Sequence, residues 1–206
     1  FAPHLARVFI GLGLPIIQGY GLTETAPVLA ANRMDDNDPT SVGRALEGIE
    51  LRCDDKGELL ARGACVMLGY WNKPEATAAT LKSGWVWTGD MGKKDGDGYL
   101  SFIGRTKEMI KVSGYSVFPE EVETILIKHP AVAQAAVIAE PDPEKGEVVK
   151  AFIVRKPGAQ TSADEIIAWS REHMAKYKAP RTVRFIDALP ATGSGKVLRR
   201  LLKEQP

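Results

Sequence analysis

The chain has 206 residues and a formal net charge of +1, and 44% of its residues are hydrophobic, which is typical of one large or two small globular domains. This charge balance gives no reason to propose nucleic acid or an anionic membrane as the main partner. No apolar run reaches membrane-spanning length, no signal peptide begins the chain, and the two cysteines form no zinc-binding pattern.

The first predicted elements are a helix, a strand and a loop. Pro3 can begin a helix whose apolar residues recur at helical spacing up to Leu12, and Gly13 can end it. Residues 14–18 read as a short buried strand, and residues 19–27 as a loop rich in glycine and threonine.

The next stretch, from about residue 42 to 103, predicts a compact β-rich unit in the form of a distorted barrel. Short strands are expected over 49–53, 58–62 and 99–103, with Asp/Gly turns between them. One short helix is expected over 74–81.

The remainder of the chain predicts a small α+β domain with its own core, so the fold class of the whole chain is α+β. Its predicted helices run from Pro119 to before Pro130, from the capping box at Ser162 and Glu165 to about Lys176, and from Val197 to Lys203. Its predicted strands are 132–139, 148–155 and 182–186.

The expected domain boundary lies at residues 104–107, where no long linker occurs. Two domains joined by so short a connection can pivot without separating, which is what a hinge requires.

The first of four segments suited to nucleotide chemistry follows the predicted strand 14–18. Gly19 and Gly21 permit close approach of a ligand, and Tyr20 offers a ring on which a base can stack. Thr23 offers a hydroxyl to phosphate, and Glu24 offers an oxygen ligand to Mg²⁺. A glycine-rich turn with a helix cap explains the same residues equally well.

The second and third segments are individually ambiguous. Asp90, after an aromatic strand, can accept hydrogen bonds from a ribose diol, but a turn aspartate is the simpler interpretation. The charges between Arg105 and Lys111 can belong to nothing more than a solvated edge.

The fourth segment, residues 190–196, differs from a phosphate loop because Pro190 replaces the first glycine and Val197 follows Lys196. A Gly-Ser-Gly arm that presents one lysine suits a group that swings into a site. The alternative is a surface turn before a basic helix.

Taken together, the segments resemble the adenylate-forming superfamily, which includes acyl-CoA synthetases, peptide-synthetase adenylation domains and beetle luciferases. The resemblance covers essentially the whole chain, and its ordered motifs are 20–24, 57–59, 88–90, Arg105-x-Lys107 with Gly114, and 195–196.

This resemblance implies an enzyme that joins a carboxylic acid to ATP with Mg²⁺, forming acyl adenylate, and then passes the acyl group to coenzyme A. Residues 1–104 would be the C-terminal portion of the AMP-binding N-terminal domain, and residues 105–206 a mobile C-terminal lid. The residues that would bind the nucleotide are Gly19, Tyr20, Gly21, Thr23, Asp90, Arg105 and Lys196, with Glu24 as the metal ligand.

The resemblance assigns catalytic roles to Thr23, Glu24, Lys111 and Lys196. Lys196 would be the adenylation lysine and Lys107 the hinge, while Lys111 matches a position used in the second half-reaction of some members. Ser113, Gly114 and Tyr115 would line the coenzyme A channel.

No segment before Gln18 matches the family's phosphate loop. We therefore expect that the larger N-terminal domain, with most of the acyl pocket, is missing and that the chain alone is inactive. We favour a cytoplasmic fatty acid–CoA ligase as the parent, for which peripheral membrane contact stays open. The rivals are an adenylation domain or acyl-AMP ligase that loads a carrier protein, and a non-catalytic interaction module derived from the family.

Overall fold

A computed structural model describes residues 3–193 and 197–204. Contacts within the chain divide it into two compact units, residues 1–106 (unit 1) and residues 107–206 (unit 2). Across the described ranges, every helix is too short or too polar to cross a membrane.

Unit 1 consists of short strands with two helices. The helices are α1 (Pro3–Gly11) and α2 (Pro74–Thr80). The strands are β1 (Gly19–Tyr20), β2 (Ala30–Ala31), β3 (Arg44–Ala45), β4 (Glu50–Cys53), β5 (Glu58–Arg62), β6 (Leu81–Lys82), β7 (Trp85–Lys94) and β8 (Leu100–Arg105).

The strands of unit 1 form two antiparallel sheets. One has the order β1-β2-β3, and in the other β7 pairs with β5 on one side and with both β6 and β8 on its other side. Buried side chains of both sheets form one core: Leu29, Ala30, Leu51, Leu59, Ala61, Val86 and Leu100. The α+β class is confirmed, and the described strands form open sheets, so the expected distorted barrel does not close.

Unit 2 is a mixed sheet with helices. The helices are α3 (Pro119–Leu126), α4 (Ala163–His173) and α5 (Arg199–Lys203). The strands are β9 (Ile110–Val112), β10 (Tyr115–Val117), β11 (Val132–Asp142), β12 (Gly146–Arg155) and β13 (Thr182–Phe185).

The long hairpin of β11 and β12 is the centre of unit 2, and β13 pairs parallel to β12. Successive side chains of a strand point to opposite faces. On one face Val137, Val149 and Ile153 pack in a cluster with Val122 and Leu126 of α3 and Ile166 of α4. On the other face Ala136, Ile138 and Phe152 pack with Leu202 of α5.

Most of the expected elements are confirmed, with ends shifted by one to three residues. The capping box of α4 is present: Glu165 N donates to Ser162 Oγ at 3.2 Å, and Ser162 N donates to Glu165 Oε2 at 2.8 Å. The helix ends at His173, earlier than expected.

The strand expected over residues 14–18 is wrong. Leu14 and Ile17 are exposed, and the hydrogen bonds of the segment go to loops: Asn32 N donates to Gln18 O, and Gln18 Nε2 donates to Pro39 O. A strand needs a ladder partner as well as apolar residues, and the described residues supply none beside this segment.

Candidate functional site

A cleft of about 460 Å³ in unit 1 brings together residues from three of the four segments suited to nucleotide chemistry. It is lined by Gly19, Tyr20 and Gly21 of the first segment, and by Asp90 and Arg105 of the second and third. The rest of the lining is formed by Pro3, Gln18, Leu22, residues 39–42 and Phe102.

A bulge in β7 places Asp90 on this cleft. Residues 88–90 stand opposite Leu59 alone, and an irregularity of this kind bends a strand and re-aims its side chains. Thr88 Oγ1 donates to Leu59 O at 2.8 Å and accepts from Asp90 N at 3.1 Å. Gly89 has a φ of 73°, a conformation that favours glycine. Thr88 and Gly89 therefore position Asp90.

The Asp90 side chain is only 4% exposed, and both of its carboxylate oxygens have a partner. Tyr20 donates its hydroxyl to Oδ2 at 2.8 Å, and Arg105 Nε lies 3.5 Å from Oδ1. A carboxylate has about four lone-pair sites, so it can accept several hydrogen bonds at once. Burial, with the adjacent carboxylate, raises the pKa of Tyr20 far above its ordinary value, so it stays a hydrogen-bond donor.

Gly21 is needed for close packing of the backbone, which the sequence alone did not predict. A Cβ at this position would lie 1.8 Å from the carbonyl oxygen of Pro27, so the absent side chain makes room for the chain's own backbone. At Gly19 a Cβ would meet Ala30 O at 3.2 Å, again backbone of unit 1. Both glycines therefore allow close packing of the backbone of unit 1.

Thr23 and Glu24 lie in the turn Thr23–Thr25, outside the lining of this cleft. The turn is held by buried Thr25, whose hydroxyl accepts from Leu22 N and donates to Leu22 O, both at 3.0 Å. Tyr70 donates its hydroxyl to Glu24 Oε1 at 2.7 Å.

Thr25 and Tyr70 were not among the predicted site residues. Thr25 is adjacent to the first motif, so the turn signal could have indicated its role. Tyr70 lies 46 positions from Glu24 in the chain, and no sequence pattern connects the two.

In unit 2, the predicted second-step residues lie on a β-hairpin that the sequence did not predict. Strands β9 and β10 pair with Tyr115 opposite Val112, and Ser113 and Gly114 form the tip. Lys111, Ser113, Gly114 and Tyr115 are all exposed. Lys111 therefore lies on a solvated edge, whereas Arg105 lines the cleft of unit 1 and Glu108 pairs with Arg199.

The tip of the β11–β12 hairpin braces this β9–β10 hairpin. Lys111 N donates to Glu147 Oε2 at 2.7 Å, and Ser113 N donates to Lys145 O at 3.0 Å. Tyr115 stacks on Tyr177 with ring centroids 4.7 Å apart. At Gly114 the φ is 86°, and a Cβ there would meet nothing within 4 Å.

The lysines proposed as the hinge and as the adenylation residue are Lys107 and Lys196. Lys107 is exposed in the turn Thr106–Glu108, where unit 2 begins. Lys196 lies outside the described residues. The chain on either side of it is closed by a bridge between Ala191 and Val197 and by Leu198 N donating to Pro190 O at 2.7 Å.

Two family profiles match the chain. The profile of the AMP-binding enzyme matches residues 2–71, and that of the AMP-binding enzyme C-terminal domain matches residues 121–196.

Among curated relatives, the methyl-dioxo-octahydro-indenyl-propanoyl:CoA ligase of Rhodococcus jostii is 45% identical over 92% of this chain and 38% of its own length. The long-chain-fatty-acid–CoA ligase of Bacillus subtilis is 42% identical over 94% of this chain and 37% of its own length.

Among solved structures, o-succinylbenzoate CoA synthetase (MenE) of Bacillus subtilis, in complex with an acyl-adenylate intermediate, has a TM-score of 0.86 and 32% identity, covering 99% of this chain and 44% of that chain. The chain thus spans about two-fifths of the length of these proteins.

Proposed function

The chain belongs to the adenylate-forming (AMP-binding) enzyme family, and on this ground we propose that it is the C-terminal part of an acid–thiol ligase. This parent protein would activate a carboxylic acid with ATP, releasing pyrophosphate and forming acyl adenylate. It would then transfer the acyl group to coenzyme A.

The observation that carries this proposal is the convergence of Tyr20, Asp90 and Arg105 on one cleft of unit 1. A buried carboxylate that accepts hydrogen bonds suits the two hydroxyls of a ribose. We propose that Asp90 binds these hydroxyls, that Arg105 assists it, and that the aromatic ring of Tyr20 lies against the adenine. Tyr20 would thereby serve twice, because its hydroxyl also orients the carboxylate.

The residues around Glu24 fit the Mg²⁺ that such a reaction requires. Mg²⁺ is usually held by one or two carboxylates together with substrate phosphates and water. Glu24 supplies one carboxylate, of which only Oε1 receives the Tyr70 hydrogen bond. Bound there, the ion would neutralise phosphate charge, and Thr23 would contact phosphate.

We propose that the two half-reactions use different residues of unit 2. Lys196 would stabilise the charge that develops on the α-phosphate and carboxylate during adenylation. Lys107 would be the pivot, which its exposed position at the start of unit 2 permits. Lys111, Ser113, Gly114 and Tyr115 would serve thioester formation, since all four are exposed on the β9–β10 hairpin.

For the acid itself, we favour a fatty acid. The relatives are named for a bicyclic propanoate, a long-chain fatty acid and o-succinylbenzoate, so the common feature of the substrates is the carboxylate. The acid should be identified by ATP–pyrophosphate exchange in the full-length parent, using fatty, aromatic and bicyclic acids in parallel.

The deciding experiment compares the two half-reactions in the parent. Lys196→Ala should lower adenylation by roughly a hundred- to a thousand-fold, because one preorganised donor to the transition state is lost. Thioester formation from preformed acyl adenylate should persist. Lys203→Ala, an exposed lysine on α5, is the control and should leave both steps unchanged.

Two outcomes would contradict this proposal. Equal loss of both steps in Lys196→Ala would reject separate roles, and acyl transfer to a carrier protein instead of free coenzyme A would favour a loading enzyme. The 206-residue chain alone should release no pyrophosphate above background, because it covers only about two-fifths of its relatives.

A further inference from the structure

An arginine at the start of α5 lies among three carboxylates of unit 2. Arg199 Nη1 donates to Glu108 Oε2 at 2.6 Å, and Nη2 donates to both carboxylate oxygens of Glu123 at 2.9 Å. Nη2 also lies 3.3 Å from Glu120 Oε1. One guanidinium thus connects three acidic side chains, which we call the Arg199 cluster.

The Arg199 cluster is shielded from water and is unbalanced in charge. The side chains of Arg199 and Glu123 are 18% and 19% exposed, so their attraction is much less screened than that of a surface pair. Three carboxylates face one guanidinium, and within the described residues Glu120 Oε2 and Arg199 Nε have no hydrogen-bond partner. Such a cluster is poorly built for stability alone, and fixing a register is the best-attested use of a buried ionic group.

The elements that the cluster connects are those that matter for the proposed reaction. Glu108 belongs to the turn Thr106–Glu108 and follows the proposed pivot, Lys107. Glu123 belongs to α3 and also accepts from Val137 N of β11 at 2.8 Å, so it is itself fixed to the central hairpin.

The other end of the connection is the base of the loop that contains Lys196. Ala191 and Val197 form a bridge and Leu198 N donates to Pro190 O, so the segment that leaves this base at Val197 leads directly to Arg199. Helix α5 has only five residues and cannot hold its own position by helical hydrogen bonds. Leu202 buries apolar surface of α5, and the hydrogen bonds of the Arg199 guanidinium fix the orientation of the helix.

We propose that Arg199 is a positioning residue that holds the base of the Lys196 loop in register with the pivot segment through Glu108. This inference rests on the proposed function, because it concerns where the adenylation lysine is presented. A displacement of a catalytic group by about 1 Å can cost on the order of a hundred-fold in rate.

The test uses the full-length parent and three variants. Arg199→Ala should lower the kcat of adenylation by roughly a hundred-fold, with little change in the KM for ATP and in thioester formation from preformed acyl adenylate. Arg199→Lys should recover only part of the loss, because an ammonium cannot reproduce the fork of the guanidinium. Arg200→Ala, the exposed neighbouring arginine, is the matched control and should resemble the wild type.

Glu108→Gln tests the same connection in case the Arg199→Ala variant does not fold. It preserves side-chain shape and leaves Arg199 paired with Glu123 and Glu120, so the melting temperature should stay close to that of the wild type. Adenylation should still fall by roughly tenfold, since the connection to the pivot segment is weakened.

The positioning role would be overturned if folded Arg199→Ala and Glu108→Gln changed both half-reactions equally, or changed neither. Lys196→Ala keeps this result separate from the proposed function. Loss of adenylation in Lys196→Ala with none in Arg199→Ala would reject the positioning role alone. Normal adenylation in Lys196→Ala would reject the role of the lysine on which it rests.

Discussion

The cleft of unit 1 and the β9–β10 hairpin of unit 2 carry their candidate residues in opposite ways. In the cleft, Asp90 is 3% exposed and is held by Tyr20 and Arg105 of the same unit. On the hairpin, Lys111 and Tyr115 are exposed, and the fold constrains the backbone more than the side-chain ends. The first region is assembled within its unit, whereas the second presents its groups outward.

This difference separates effects on folding from effects on function. A substitution in the cleft removes a partner of buried groups and therefore costs stability as well as binding. A substitution at the tip of the hairpin meets open space, so a loss of activity there reports on a ligand or partner. The two regions are also expected to act in different half-reactions. Measuring adenylation and thioester formation separately therefore shows which region a substitution affects.

The largest effect is expected at Asp90. Asp90→Ala in the parent should lower adenylation by roughly a hundred- to a thousand-fold, and unit 1 should lose roughly 1–3 kcal/mol of stability because the Tyr20 hydroxyl loses its acceptor. ATP–pyrophosphate exchange and urea unfolding measure the two effects. Asp97→Ala, in an exposed turn, is the control. Normal exchange in Asp90→Ala would mean that this cleft is not the nucleotide site.

A selective effect is expected at Gly114. Gly114→Leu should lower thioester formation by roughly a hundred-fold and spare adenylation, because the added side chain would fill the proposed thiol channel. The φ of 86° costs about 1 kcal/mol for a residue with a Cβ. Gly158→Leu is the matched control, since Gly158 is exposed, has a φ of 75° and meets nothing within 4 Å. Equal activity of the two variants in thioester formation would remove the hairpin from the channel.

The smallest effect is expected in the pH dependence of stability. Burial raises the pKa of Glu120 above its ordinary value of 4.5. The nearby carboxylates of Glu123 and Glu108 raise this pKa further, whereas the Arg199 guanidinium lowers it. The folded state therefore binds the Glu120 proton more tightly than the unfolded state does. The stability that this proton contributes is fully present below pH 4.5 and is lost as the pH rises through the raised pKa.

Glu120→Gln should accordingly flatten the decline of unfolding free energy between pH 4.5 and neutral pH. At pH 7 the variant should be more stable by about 1 kcal/mol at most, because the Glu120 side chain is about a third exposed. Urea unfolding of the chain at several pH values measures this, with Glu144→Gln at an exposed position as the control. A variant that is less stable at neutral pH would show that Glu120 is needed as a charge.

The local sequence does not predict the β9–β10 hairpin. Residues 107–117 contain alternating apolar positions, Ile110 and Val112, but too few to outweigh the surrounding charges. Its strands exist because β9 pairs with the end of β12 and because Glu147 accepts the Lys111 amide hydrogen. Both partners lie more than thirty positions away, at Gly146 and Glu147, and no local pattern encodes such contacts.

The α+β class, the helix starts at Pro119 and Ser162, and the family could all be predicted from the sequence, because caps, periodicity and ordered motifs are local signals. The tertiary structure alone decided that Tyr20 orients Asp90, that Gly21 makes room for backbone, and that Arg199 joins three acidic side chains. These are contacts between residues distant in the chain, and their energies depend on burial, which folding sets and sequence spacing does not.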